Sequence, residues 1–291
     1  MKYEAIKKYR KEYTVIKMCK VLGLYPPNYY KWEHQEKKRE ERRFSELGYV
    51  KQIERIFNEN RCNIGYRGVR QRLLQEGSEL SEYRVRRIMK ENGFYPETLK
   101  KYKPCHNGKK DGKYFENRVK QQFNAQKQNQ IWAGDITYIK TSLGWVYLSV
   151  VIDLYNREVI GYSISKNIDT ELVKRSLGNA ILRNGNREGL IFHSDRGSQY
   201  ASKGFQEMLR LYGMDGSMSR PACPYDNSCV ESFFATLKKE QIFKRKYDTM
   251  EEVQRDVFEY IELFYNRKRM HSHLGYMSPV EYRLKQMELS A

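Results

Sequence analysis

Long apolar runs are missing from this sequence. The longest, near Trp145–Leu154, is broken by Asp153 and is too short to cross a bilayer, so no membrane span is expected. The opening, Met1-Lys2-Tyr3-Glu4, is too charged for a signal peptide. Cysteine is scarce: Cys19, Cys62, Cys105, Cys223 and Cys229 are odd in number and contain no Cys-x-x-Cys spacing. That excludes a disulfide scaffold and predicts reduced thiols in a cytoplasmic protein. Cys105-His106 and His271-x-His273 each lack a properly spaced second pair, which argues against zinc. No sustained heptad repeat is present, so no coiled coil is expected. Acidic residues are outnumbered, 36 against 54 Lys+Arg, for a formal net charge of +18. The imbalance is local: residues 1–130 hold 32 Lys+Arg against 16 Asp+Glu, and the remaining 161 hold 22 against 20. A basic first part joined to a nearly neutral remainder suggests a polyanion-binding arm on a catalytic body.

What is present is a spaced set of three acids. Asp195 closes the short apolar run Leu190-Ile191-Phe192 within His193-Ser194-Asp195-Arg196-Gly197-Ser198-Gln199-Tyr200, where a strand ends and a glycine turns the backbone. Asp135 lies in Ile131–Ile139, rich in β-branched and aromatic residues and therefore a second strand. Glu231 lies on a helix, because Val230, Phe233, Phe234 and Leu237 form one apolar stripe at i, i+3, i+4 and i+7. Two strand carboxylates and one helix carboxylate supply the oxygen ligands that a pair of divalent cations requires. Two such ions, about 3.5–4 Å apart, activate an attacking oxygen and stabilise the leaving oxygen of a phosphodiester. Without cations the same carboxylates would repel one another and favour protonation.

These residues carry a family resemblance. Asp195 and Glu231 leave 35 residues between them. Together with Trp132-x-x-Asp135-Ile136-Thr137-Tyr138, the His193–Tyr200 stretch and Asp226-Asn227-Ser228-Cys229-Val230-Glu231-Ser232-Phe233-Phe234, this spacing resembles the Asp-Asp-Glu transposases and retroviral-type integrases. The segment Tyr265–Pro279 is similar to the closing signature of bacterial insertion-sequence transposases. The nearest match is the second-reading-frame product of the insertion-sequence-three family, over nearly the whole chain. The resemblance implies Asp135, Asp195 and Glu231 as catalytic metal ligands for Mg²⁺, with Mn²⁺ as a substitute and two ions per site. It also implies cleavage and strand transfer at insertion-sequence ends, with terminal repeats and target DNA as partners. A homo-oligomer on DNA, a nucleoid-associated location and a possible fusion with an upstream-frame product belong to the same expectation. Lys238, two helical turns beyond Glu231, matches a basic position that contacts terminal DNA. Arg269 and His271 are candidate DNA contacts through membership of the closing signature alone.

Taken in order, residues 1–44 read as a helical segment with Tyr25-Pro26-Pro27 as a break between two helices. Residues 45–96 read as three helices resembling a helix-turn-helix module. The third starts after Ser81 and stops at Gly93, burying Val85, Ile88 and Met89 while Arg84, Arg86, Arg87 and Lys90 are free for DNA. Ile64 and Gly68 depart from the usual family pattern and leave base specificity open. Residues 97–129 are basic and glutamine-rich, a linker by composition. From 130 to 291 the order is three strands, helix, strand, helix, strand, helix, then a C-terminal helical segment. That order predicts a ribonuclease-H-like mixed five-stranded sheet with helices on both faces, in which Asp135 and Asp195 meet. Asp153 is a rival ligand at a strand end, or a turn former. His193 could contact a scissile phosphate or be a hydrogen-bonded strand-end residue. The loop Pro221–Asn227 is expected to be mobile, so that the Glu231 carboxylate settles only when DNA and metal are bound. A DNA-binding regulator with an inactive core, and a nuclease on the same fold, are the alternative readings.

Overall fold

A computed structural model of the chain describes residues 2–96, 114–185, 188–221 and 223–290. The chain divides into two compact units, Met1–Pro96 and Glu97–Ala291.

The first unit is all helical: α1 (Lys2–Tyr9), α2 (Val15–Leu22), α3 (Pro26–Glu59), α4 (Tyr66–Gln75) and α5 (Glu82–Glu91). Pro26 and Pro27 occupy the first turn of α3, where a missing backbone N–H costs nothing, so the expected break is a helix start. From there α3 runs unbroken for 34 residues and passes through position 44, where a boundary was expected. Ile53, Ile56 and Phe57 on α3, Val69 and Leu73 on α4, and Val85, Ile88 and Met89 on α5 are buried. Ser81 caps α5 by accepting the Arg84 amide. At its far end Gly93, with φ +72°, closes the helix and Phe94 N donates to Met89 O at 2.9 Å.

The second unit is built on a sheet of β1 (Ile131–Thr141), β2 (Gly144–Asp153), β3 (Val159–Ser165), β4 (Ile191–Ser194) and β5 (Asp215–Met218). Its spatial order is β3-β2-β1-β4-β5, with β1–β2 and β2–β3 antiparallel and β1–β4 and β4–β5 parallel. The helices are α6 (Thr170–Asn184), α7 (Lys203–Leu211), α8 (Ser228–Glu240), α9 (Met250–Phe258), which continues as a π-helical stretch Glu259–Tyr265, and α10 (Pro279–Ser290). One apolar cluster joins the sheet to α6 and α7 through Trp132, Ile160, Leu177 and Phe205. The other joins it to α8, α9 and the π-helical stretch through Leu148, Val150, Phe233, Val257 and Tyr260. Helices therefore cover both faces, the ribonuclease-H-like arrangement. Gly161 permits the close approach of α6, since a Cβ there would stand 2.4 Å from Ser176 O.

Residues 114–129, read from composition as linker, instead pack on this unit. Val119 is buried, and Tyr114, Phe115 and Phe123 contact the core. Single apolar residues scattered among Lys, Gln and Asn hid that burial. The run Lys100–Pro104 and the Cys105-His106 pair lie outside the described residues.

Candidate active site

The parallel pairing of β1 with β4 ends at Gly134 opposite Ser194, so the next residues, Asp135 and Asp195, emerge side by side. Asp135 Oδ1 accepts the Ile136 amide at 2.8 Å, and Asp195 Oδ1 accepts the Gly197 amide at 2.9 Å. Asp195 is exposed and Asp135 half-buried. The Asp135 carboxyl is held well above the usual carboxylate range, first by burial and then by the charge of Asp195. Glu231 pushes the same way; the Ile136 amide and, more weakly, Lys238 oppose it. Two strand ends and one helix thus place all three predicted acids in one electrostatic field.

Glu231 stands exposed in the first turn of α8. Lys238, two turns on, is half-buried; burial lowers its pKa and Asp135 raises it, which sets the ammonium within reach of that carboxylate's field. Its Nζ lies 4.5 Å from the centroid of the Tyr138 ring. The donor set fits hard divalent cations in kind, being all carboxylate and electrostatically unsatisfied at Asp135. Among the described residues, however, no three His, Cys, Asp or Glu side chains are gathered closely enough to hold a metal ion together.

Behind the acids is a network that sequence reasoning missed. Asp226, read as part of a mobile loop ahead of Glu231, is fully buried. Its carboxylate accepts Asn117 Nδ2 at 2.8 Å, Gln121 Nε2 at 2.9 Å, and the Arg220 amide at 2.9 Å and Nε at 3.1 Å. Its carbonyl oxygen lies 2.7 Å from His193 Nε2, while His193 Nδ1 is 2.9 Å from Ser217 Oγ. His193 is wholly buried, burial lowers its pKa, and its two hydrogen bonds tie β4 to β5 and to the turn that precedes α8. That is the second of its two sequence readings. Beneath the site, the buried Tyr200 packs against Phe192 and Phe205; burial, Asp135 and Asp195 raise its pKa far above the phenol range.

Other candidates fall elsewhere. Asp153 pairs in register with Trp132, three residues before Asp135, roughly 10 Å along the strand. It accepts the Asn129 and Tyr155 amides and is a turn former. Arg269 does not face outward: its guanidinium makes a bidentate pair with the buried Glu240, at 2.9–3.1 Å. His271 packs edge-on to Tyr265 at 4.9 Å, and burial, aided by Arg269, lowers its pKa to about 3, so it carries no charge for a phosphate. Both signature side chains are engaged within the protein, and motif membership does not reveal which way a side chain points. On α5, Arg87 pairs with Glu46, and Arg84 lies 5.3 Å from the Tyr49 ring centroid; Arg86 and Lys90, four residues apart, are exposed.

Comparison with known proteins agrees with this geometry. Residues 125–224 and 231–287 each match a family described as an integrase core domain, and residues 46–102 match an HTH-like domain. The transposase InsF for insertion sequence IS3A of Escherichia coli (strain K12) is 34% identical over 287 residues, 99% of this chain and 100% of that protein. The transposase for insertion sequence element IS904 of Lactococcus lactis is 38% identical over 231 residues, 79% of this chain and 91% of that protein. With acids in order, an integrase-type sheet and likeness along its full length, the chain belongs to the IS3 family of insertion-sequence transposases.

Proposed function

We propose that this transposase cleaves and rejoins DNA phosphodiesters at insertion-sequence ends, with Asp135, Asp195 and Glu231 as ligands to divalent cations, Mg²⁺ or in its place Mn²⁺, two per site. The observation that carries the reading is that β1 and β4 end their pairing at Gly134 and Ser194 so that Asp135 and Asp195 emerge side by side; the charges of Asp195 and Glu231 both raise the Asp135 pKa, and positive charge would stabilise the cluster. When bound, such cations would activate the attacking oxygen and stabilise the leaving oxygen. The chain's own groups do the rest. The Ile136 and Gly197 amides fix the orientation of the two aspartates. Glu231 on the first turn of α8 supplies the third carboxylate from the exposed side. No side chain here serves as a nucleophile, so DNA is not held covalently. Lys238, beside Asp135, meets the terminal DNA, and Arg86 and Lys90 meet duplex phosphates. Terminal repeats and target DNA are the partners, engaged by a homo-oligomer.

The test compares the wild-type chain with Asp195→Asn on a plasmid carrying the DNA that flanks its gene, with Mg²⁺, Mn²⁺ or EDTA. Cleavage or end joining that requires metal and disappears in the variant, with DNA binding intact, is the expected result. Activity that survives the substitution or EDTA overturns the assignment. If both proteins are inert, the assay is repeated with the upstream reading frame fused on; continued silence with intact binding favours the regulator.

A further inference from the structure

We propose that the exposed aromatic pair Tyr138–Trp145 is a stacking platform for an unpaired DNA base beside the reacting phosphodiester. The inference rests on the reading that DNA reacts at Asp135, and adds to it the part of the substrate that this surface receives.

The platform follows from unequal strand lengths. β4 has only four residues and its last partner on β1 is Gly134, whereas β1 and β2 stay paired as far as Thr141 opposite Gly144. From Asp135 onward the edge of β1 is therefore free, and beyond Tyr138, where β3 also ends with Ser165 opposite Tyr147, β1 and β2 project past the sheet as a two-stranded ribbon. Tyr138 and Lys140 share one face of it by strand alternation, and Trp145 lies directly across from Lys140. Tyr138 and Trp145 meet edge to face with centroids 5.2 Å apart. They are 42% and 50% exposed, whereas Trp132 is fully buried and Trp32 half-buried. A contiguous pair of half-exposed rings, with a cation over one of them, offers an aromatic surface that a planar ligand can cover.

The surroundings fit a nucleotide. Lys238 on α8 holds its ammonium over the Tyr138 ring and within the field of Asp135, so one cation links acid and ring although strand alternation turns those two side chains to opposite faces of β1. The tip of the ribbon is fixed, because Ser142 N donates to Tyr247 O at 2.9 Å and Ser142 Oγ to Asp248 Oδ1 at 2.6 Å. That anchor brings in the segment carrying the exposed Lys244 and Lys246. Aromatic faces stack on bases of any sequence, and interleaved lysines meet the phosphates between them. A base inside a duplex offers no free face. The occupant is therefore an unpaired nucleotide, at a strand end or drawn out of the stack.

The test is run without divalent metal, so that binding is read apart from reaction. A blunt duplex is compared with the same duplex bearing a short single-stranded tail that contains 2-aminopurine. Wild type quenches the tail's fluorescence and binds the tailed duplex more tightly than the blunt one. Trp145→Ala binds the tailed duplex about tenfold more weakly, with blunt-duplex binding unchanged and quenching lost. Trp145→Phe, which keeps a ring at the surface, retains most of the affinity and quenching. Equal loss on both duplexes, or no loss on either, overturns the proposal. Failure of the Asp195→Asn experiment would leave this outcome readable, since no cleavage is required.

Discussion

Asp226 and Asp153 are both fully buried, and they act on stability in opposite directions. Burial alone would raise the Asp226 pKa, but the Arg220 side chain and amide, then Gln121, outweigh it and leave the acid far below its usual range. A depressed folded-state pKa gives stability that is present above the unfolded value and lost as pH falls. Asp226→Asn should cost about 2–4 kcal/mol at neutral pH, because the charge facing Arg220 is lost and one accepting oxygen becomes an amide N–H turned toward other donors. The deficit should narrow below pH about 4. Asp153 is raised to about 6 by burial, against the pull of the Tyr155 and Asn129 amides. Here the folded state binds the proton more tightly, so stability is lost as pH rises from about 4 to about 6. Relative to wild type, Asp153→Asn should gain on the order of 2–3 kcal/mol across that window. Urea denaturation of both variants over the acid range checks the two signs; parallel pH trends would refute the account.

At the scale of the element, α8 matters most, since it carries Glu231 and Lys238 and is held at both ends. Near its start, Arg157 Nη1 donates to Cys229 Sγ at 2.7 Å; in the middle, Phe233 meets Tyr265 at 4.8 Å. At its end Glu240 takes the Arg269 fork and the Tyr260 hydroxyl, the latter at 2.7 Å. The closing signature thus clamps the helix that positions the third acid. Arg269→Ala leaves the Glu240 charge buried and unpaired, and should destabilise the protein by about 3–5 kcal/mol in denaturant titrations. DNA affinity of the folded protein should be unchanged. A fall in affinity at constant stability would restore Arg269 as a DNA contact.

For the whole molecule, the relevant quantity is where the positive charge lies. The helical unit has a basic excess, and on α5 only Arg86 and Lys90 of the four predicted contacts are exposed. Each phosphate contact adds about one to the slope of log affinity against log salt. Arg86→Ala and Lys90→Ala should each lower that slope by about one, measured by titrating labelled duplex at several salt concentrations. Arg87→Ala should leave it nearly unaltered, because Arg87 is spent on Glu46.

The sequence by itself determined the order of elements and the fold class, and it singled out three acids as the candidate site. Strand alternation, helical stripes and the spacing of Asp195 from Glu231 are written in neighbouring residues, and local periodicity is what a sequence records directly. Even the boundaries came close: the strand expected over Ile131–Ile139 is found at Ile131–Thr141, and the helix expected between Ser81 and Gly93 at Glu82–Glu91. Only the tertiary structure decided which polar groups face water and which face each other. Arg269 and His271 look outward in the motif and are turned inward by Glu240 and Tyr265, 29 and 6 residues away. Asp226 looks like loop and is a buried anchor because Asn117, 109 residues earlier, reaches it. Tyr138 and Trp145 look like ordinary strand aromatics and are exposed where β1 and β2 run on past the last residue of β4. Burial and pairing are properties of contacts between distant segments, and no local pattern encodes them.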